Sequence, residues 1–318
     1  MAIDWVVSIA GALVGFVVGL TGMGGGALMT PVLVLLFGVQ PLAAVSSDLV
    51  ASMIMKPLGG GVHMKRGKIH GSLVLWLVVG SVPSAFAGVF LLKLLGSGPA
   101  LEDAVRTALG VALFIAAGAL CLKGIIQRKR GSAEAEEAPL QVRRLPTVLV
   151  GVTGGLVVGM TSVGSGSVMM LLLLALYPRL RLSELVGTDL VQAVPLVAAA
   201  SLAHLLFGDF QLGLTVSILV GALPGVFVGA LLSSKAPDRW IRPALVIVLL
   251  ASSLKLLGVR TEAVLAVLTA FAGIVAVVRL LAARRTALTE QSAEPVAASP
   301  ERSKLPSQSG ETDVLPAR

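Results

Sequence analysis

Long apolar runs recur along the chain and constrain its fold more than any other feature. Five of them contain few charged residues: 72–92, 104–122, 147–178, 211–234 and 240–254. Each is long enough to cross about 30 Å of hydrocarbon as an α-helix. With 56% hydrophobic and 13% charged residues, a water-soluble fold could not bury so much apolar surface. The sequence therefore predicts an all-α polytopic membrane protein.

Charge and cysteine content exclude several other classes. The net charge is +8, but the basic residues cluster in loops and the C-terminal tail, as the positive-inside rule expects, so we expect no nucleic-acid partner. The single cysteine, Cys121, lies in an apolar run, which argues against a disulfide framework or a thiol metal site. The sequence contains no nucleotide-binding motif. We therefore expect no cofactor, no metal site and no ATP hydrolysis.

The chain also contains one pattern twice. Shifting the sequence by 140 positions lays GALVGFVVGLTGMGGG (11–26) over GVTGGLVVGMTSVGSG (151–166). After a one-residue insertion the match continues through two polar pairs, Asp48 with Asp189 and His63 with His204. We conclude that the chain consists of two homologous halves.

Each half begins with an apolar run that glycines interrupt. The run 5–37 is too long for one ordinary crossing and too short for two, and its last part, 27–37, rises only about 16 Å as a helix. The matching run, 147–177, is interrupted at 162–167. Backbone without helical hydrogen bonds at this depth must line a polar cavity or be buried in protein. We therefore predict a re-entrant or discontinuous helix in each half.

Loop charge favours halves of opposite orientation. If each broken run returns to the side from which it entered, each half has three full crossings. The loop 63–70 is then cytoplasmic and basic, whereas the matching loop 208–211 is extracellular and has no lysine or arginine. Inverted repeats exchange loop charge in this way. A topology in which each broken run crosses once fits less well, because it places the arginine-containing tail outside.

The predicted organisation has five parts. They are a first membrane repeat (1–126), a cytoplasmic linker (127–146), a second membrane repeat (147–258), an extra C-terminal transmembrane helix (259–281) and a disordered cytoplasmic tail (282–318). The extra helix has no counterpart in the first half. It returns the C-terminus to the cytoplasm.

Inverted repeats with broken helices are typical of secondary transporters, which bind substrate near the middle of the bilayer. The helix that follows a break offers free N–H groups and the positive end of its dipole to an anion. The predicted anion site comprises Thr21, Gly24, Gly25, Gly26, Lys56, Thr161, Ser162, Gly164, Ser165 and Gly166. The alternative is that the glycines only pack helices closely, which we predict for Gly11, Gly15, Gly19, Gly151, Gly155 and Gly159.

The ionisable residues of the apolar segments leave alternatives open. Lys56 contacts the anion or forms an ion pair with Asp48. Asp48 and Asp189 cap helices or bind a coupling proton or cation. His63 and His204 are polar anchors at helix ends or carry protons.

At these motifs the sequence resembles the TauE/SafE family, the sulfite-exporter-like permeases. The resemblance rests on GLTGMGGGALMTP, GMTSVGSGSVMM, the two Asp-Leu-Val segments, HMKRGK, HLLFGDF and VGALPGVFVGALL, and it covers about residues 5–258. It implies secondary transport of a small sulfur-containing anion, such as sulfite, thiosulfate or an organosulfonate, across the cytoplasmic membrane. Coupling to an ion gradient is expected, whereas substrate, direction and coupling ion differ between members.

Two other functions remain as alternatives. A passive anion channel needs the same glycine breaks without alternating access. An intramembrane serine protease would pair Ser165 with His204, but the position that matches Ser165 in the first half is Gly25. We expect a non-enzyme whose partners are a small anion and the lipid bilayer. Whether the chain forms a homo-oligomer stays open.

Overall fold

The computed structural model describes residues 3–21, 25–64, 69–130, 141–178, 180, 182–233 and 238–292, which form eleven α-helices and no strand. The first half contains α1 (Trp5–Thr21), α2 (Gly26–Leu36), α3 (Pro41–Met64), α4 (Gly71–Leu94) and α5 (Pro99–Arg130). The second half contains α6 (Arg144–Thr161), α7 (Val168–Leu176), α8 (Leu182–Phe207), α9 (Leu212–Leu232) and α10 (Asp238–Leu256). The last helix is α11 (Thr261–Ser292).

The longer helices have the composition of membrane spans. In the described part of the chain, five are long and apolar enough to cross a membrane: Gly71–Leu94, Pro99–Ile126, Arg144–Thr161, Glu184–Phe207 and Leu212–Leu232. Large apolar side chains remain exposed on their outer faces, among them Leu75, Phe114 and Phe227. Such a surface suits lipid rather than water. The chain is thus an all-α polytopic membrane protein, as its sequence predicts.

The first helix of each half packs against a helix of the other half. In the first half, α1 lies against α9: a Cβ atom on Gly11 would lie 2.9 Å from the carbonyl oxygen of Ile218, and one on Gly19 would lie 2.3 Å from that of Val226. Residue numbers rise together along both helices, so α1 and α9 are parallel. The glycines of α6 approach the backbone of α4 in the same way, at Gly151, Gly155 and Gly159. The predicted close packing by these glycines is confirmed.

The equivalent helices α3 and α8 run in opposite directions. The Ser46 hydroxyl lies 2.8 Å from Nδ1 of His204. Three residues further along α3, the carbonyl oxygen of Leu49 accepts a 2.8 Å hydrogen bond from the Ser201 hydroxyl. Because the numbers rise along α3 while they fall along α8, the two helices are antiparallel.

The short helices α2 and α7 are embedded in protein. Met29 and Leu33 of α2 belong to one apolar cluster, together with side chains of α5, α9 and α10. Met169 and Leu173 of α7 belong to a second cluster, together with side chains of α4 and α8. Each cluster draws on both halves. The backbone next to the breaks is therefore shielded from lipid by the other half of the chain.

The boundaries of the predicted parts differ slightly from the helix boundaries. Helix α5 continues to Arg130, beyond the predicted start of the linker, and α11 continues to Ser292, beyond the predicted start of the tail. The described residues form one compact unit up to Ala272 and a second that begins at Gly273 and contains the rest of α11. Residues 131–140 and 293–318 lie outside the described part.

Candidate functional site

The broken run of the second half is a helical hairpin. Helix α6 ends at Thr161, and α7 begins at Val168. Directly after α7, the hydroxyl of Tyr177 lies 2.6 Å from the hydroxyl of Thr147 and accepts a 3.0 Å hydrogen bond from the N–H of Arg143. Both partners lie at the start of α6. The end of α7 therefore lies beside the start of α6, and residues 162–167, the second break, form the turn between them.

The broken run of the first half folds back in the same way. The N–H of Asp4, before α1, donates to the hydroxyl of Ser217 at 3.0 Å, near the start of α9. The N–H of Gln211, also at the start of α9, donates to the hydroxyl of Ser47 at 3.3 Å, near the start of α3. Helix α2 ends just before α3. Its end therefore lies level with the start of α1, and Gly25, directly before α2, lies at the far end of the hairpin. The rest of the first break, residues 22–24, lies outside the described residues.

The start of α2 lies against the second break. A Cβ atom on Gly26 would lie 1.9 Å from the carbonyl oxygen of Ser162, so only glycine allows this approach. Ser162 ends α6 in the left-handed conformation, with a φ of 61°, and Gly164 has a φ of 116°. The backbone of one half thus forms part of the surroundings of the break in the other half.

Asp48 links α2 to the second break. Its Oδ2 atom accepts hydrogen bonds from the Thr30 hydroxyl of α2, at 3.0 Å, and from the Ser162 hydroxyl of the second break, at 2.7 Å. The carboxyl group is fully buried. Asp48 and Asp189 lie inside α3 and α8, not at their first residues. The capping interpretation therefore does not hold, because neither carboxylate is placed to bind the first N–H groups of its helix.

Lys56 brings a positive charge from α3 to the second break. Its ammonium group donates a hydrogen bond to the Ser165 hydroxyl and interacts electrostatically with both Asp189 and Asp48. Asp189 in turn accepts a 3.0 Å hydrogen bond from the side-chain amide of Gln192. Asp48, Lys56 and Asp189 form one charge cluster, and Lys123 also interacts electrostatically with Asp189.

The remaining predicted site residues are not part of this charge cluster. The hydroxyls of Thr21 and Thr161 donate to carbonyl oxygens of their own helices, at Val17 and Val157. Gly166 is partly exposed in the second break. Gly24 lies outside the described residues.

His204 lies inside the protein, near the end of α8. It is fully buried. Its Nε2 atom lies 2.8 Å from the carbonyl oxygen of Gly159, and its Nδ1 atom lies 2.8 Å from the Ser46 hydroxyl. A carbonyl oxygen only accepts, so Nε2 carries the proton and Nδ1 accepts from Ser46. Both ring nitrogens of His204 thus have hydrogen-bond partners. Ser165, which a serine protease would pair with His204, instead contacts Lys56. The side chain of His63 lies outside the described residues.

Three contributors were missed from the sequence: Thr30, Ser52 and Gln192. Each could have been found by helical spacing from a residue that the sequence did indicate. Ser52 follows Asp48 by four residues, and Gln192 follows Asp189 by three, so each pair shares one helix face. Thr30 follows Gly26 by one turn of α2. A search for polar side chains one turn from each intramembrane carboxylate would have selected Ser52 and Gln192.

Comparisons with known proteins agree on one family. A family model described as "Sulfite exporter TauE/SafE" matches residues 7–256. The chain is 37% identical over 251 residues to "Probable membrane transporter protein YjnA" of Bacillus subtilis (strain 168), covering 78% of this chain and 97% of the relative. It is 24% identical over 233 residues to "Probable membrane transporter protein YdhB" of the same organism, covering 73% and 91%. No solved structure matches the chain.

Proposed function

The chain belongs to the sulfite exporter TauE/SafE family, and from this membership we propose that it is a secondary transporter of a small sulfur-containing anion such as sulfite, thiosulfate or an organosulfonate. The membership itself makes the chain a membrane transporter. The observation that carries the finer proposal is the contact between the start of α2 and the second break, where the Lys56 ammonium group bonds to Ser165. The anion crosses the cytoplasmic membrane in a step coupled to an ion gradient.

The two halves are inverted repeats around this contact. The antiparallel course of the equivalent helices α3 and α8 supports this orientation, because two halves of equal orientation would place them parallel. The hairpins α1–α2 and α6–α7 support re-entrant segments that return to the side from which they entered. Each half then contributes three crossings and one re-entrant hairpin. The C-terminus is cytoplasmic.

Labelling of single cysteines tests this topology. In a Cys121→Ser background, a membrane-impermeant maleimide added to intact cells should label Asp209→Cys. It should label Lys68→Cys, whose position lies outside the described residues, only after the cells are opened. Labelling of both positions from the same side would overturn the inverted arrangement.

The site binds the anion with helix ends and one ammonium group. Helices α2 and α7 begin at the two breaks, and the first N–H groups of a helix have no partner within it. With the dipole of each helix, these groups favour negative charge at the break. Lys56 adds a full positive charge at Ser165, and oxyanions accept strong hydrogen bonds from such a group.

Reconstituted flux tests the anion proposal. Proteoliposomes that contain the wild-type chain should accumulate at least one of radiolabelled sulfite, thiosulfate or a short organosulfonate. The Lys56→Met variant should lose this uptake. Lys255→Met is the matched control, because the ammonium group of Lys255 bonds to Thr261 on the exposed side of the helix end. If no sulfur-containing anion moves, or if Lys56→Met transports as fast as the control, the proposal is wrong.

Accumulation against a concentration gradient separates a carrier from a channel. A carrier preloaded with unlabelled anion also exchanges it for labelled anion faster than it allows net efflux. A channel shows neither behaviour.

A further inference from the structure

Two oxygen atoms beside the first break are buried without a hydrogen-bond partner among the described residues: Oδ1 of Asp48 and the hydroxyl oxygen of Ser52. The other carboxylate oxygen of Asp48 already accepts two hydroxyl groups. Leaving a carboxylate oxygen unpaired in the interior costs free energy, and proteins almost always pair such atoms. The two oxygens therefore mark a polar space that suits a water molecule or an ion.

Both oxygens face the same glycine. A Cβ atom on Gly25 would lie 3.2 Å from the hydroxyl oxygen of Ser52 and 3.6 Å from Oδ1 of Asp48. Ser52 follows Asp48 by one turn of α3, so both side chains leave the helix on one face. The space next to Gly25 is thus bordered by a carboxylate oxygen, a hydroxyl oxygen and the terminal methyl group of Met55, at 3.3 Å.

We propose that Asp48 Oδ1 and Ser52 Oγ bind a sodium ion that is transported together with the anion, an inference that rests on the proposed function. Carboxylate, hydroxyl and carbonyl oxygens are the ligands of hard cations. Unwound backbone carbonyls and the C-terminal ends of half-helices supply the remaining ligands of such sites in transporters. Here Ser162 is the residue that caps the C-terminal end of α6, and its hydroxyl donates to the carboxylate of Asp48.

A sodium ion satisfies both oxygens at once, whereas a proton does not. A proton placed on Oδ1 turns an unpaired acceptor into an unpaired donor, because Ser52 makes no hydrogen bond with it among the described residues. The Ser52 hydroxyl would also remain without a partner. A cation between the two oxygens removes both deficits.

The charge of Asp48 explains why the cation and the anion bind together. The ionised carboxylate lies beside the break and opposes an anion there. A bound sodium ion neutralises this carboxylate. Each ligand then raises the affinity of the other by the same factor, as linkage requires.

Only the first half provides this pair of oxygens. The position that matches Ser52 in the second half is Ala193, and Oδ1 of Asp189 accepts the amide of Gln192 at 3.0 Å. We therefore expect one sodium ion per chain.

Sodium-dependent stability of the full chain tests the site without any anion. We expect NaCl, but not KCl or choline chloride at the same ionic strength, to raise the melting temperature of the purified wild-type chain in detergent. Ser52→Ala should remove this increase. Thr30→Val, which loses one hydroxyl that orients the carboxylate, should weaken sodium binding roughly 10- to 100-fold. Ser253→Ala is the control: Ser253 is equally buried but bonds to the carbonyl oxygen of Gly110 at 2.8 Å, and it should keep the full response.

The outcomes separate this inference from the proposed function. If sodium stabilises the wild type no more than potassium, or if Ser52→Ala keeps the response, the sodium site is wrong. Anion uptake that depends on a proton gradient and not on sodium would also overturn the sodium site, although the transport proposal would survive. A sodium response that Ser52→Ala removes, in a chain that moves no sulfur-containing anion, would leave the site standing and refute the proposed transport.

Discussion

Ser162 has two opposing effects on the stability of the protein, and substitutions can separate them. Its φ of 61° lies in the left-handed region, which costs a non-glycine residue about 1–2 kcal/mol. Its hydroxyl donates a 2.7 Å hydrogen bond to the buried carboxylate of Asp48. A hydrogen bond to a charged group contributes about 1.5–3 kcal/mol. The backbone conformation therefore favours glycine, whereas the carboxylate favours serine.

The two effects predict a definite order of stability. Ser162→Ala loses the hydrogen bond and keeps the unfavourable conformation, so it should lower the free energy of unfolding by about 1.5–3 kcal/mol. Ser162→Gly loses the same bond but removes the conformational cost. The greater freedom of glycine in the unfolded chain offsets part of this gain, about 0.5–1 kcal/mol. Ser162→Gly should thus be more stable than Ser162→Ala by roughly 0.5–1 kcal/mol.

Unfolding of the purified variants in one detergent, followed by circular dichroism, measures this order. Ser84 provides a matched control: it is buried within α4 and its hydroxyl bonds to the carbonyl oxygen of Gly80 in its own helix. At Ser84 the order should reverse, because glycine is less favourable than alanine inside a helix by about 1 kcal/mol. If Ser162→Gly is no more stable than Ser162→Ala, the left-handed conformation of Ser162 does not lower the stability of the protein.

Three further substitutions test the contacts around the breaks. Gly26→Ala would place a Cβ atom 1.9 Å from a backbone oxygen of the second break, so it should abolish the monodisperse peak in size-exclusion chromatography, whereas Gly213→Ala, which meets open space, should not. Lys56→Met leaves Asp48 without the cation that faces it and should cost about 3–5 kcal/mol in unfolding free energy, and the added Asp48→Asn should restore part of that loss; equal stability of single and double variants would contradict this pairing. Tyr177→Phe removes both hydrogen bonds that close the second hairpin, so hydrogen exchange of α7 should accelerate while that of α5 stays unchanged.

The sequence by itself determined the membrane class, the duplication and the places where helices are interrupted. These features depend on local composition. A long apolar run predicts a span wherever it lies, and a glycine cluster interrupts a helix through its own backbone freedom. Helices α1 and α6 accordingly end at Thr21 and Thr161, next to the predicted breaks.

Only the tertiary structure decided which groups meet at those breaks. Asp48 of the first half bonds to Ser162 of the second, and Lys56 crosses to Ser165, although sequence spacing relates Lys56 only to Asp48. These partners are distant in the chain and meet because α1 packs on α9 and α6 packs on α4. Helical period and propensity act over a few residues, whereas such pairings follow from how whole helices fit together, which one sequence does not reveal.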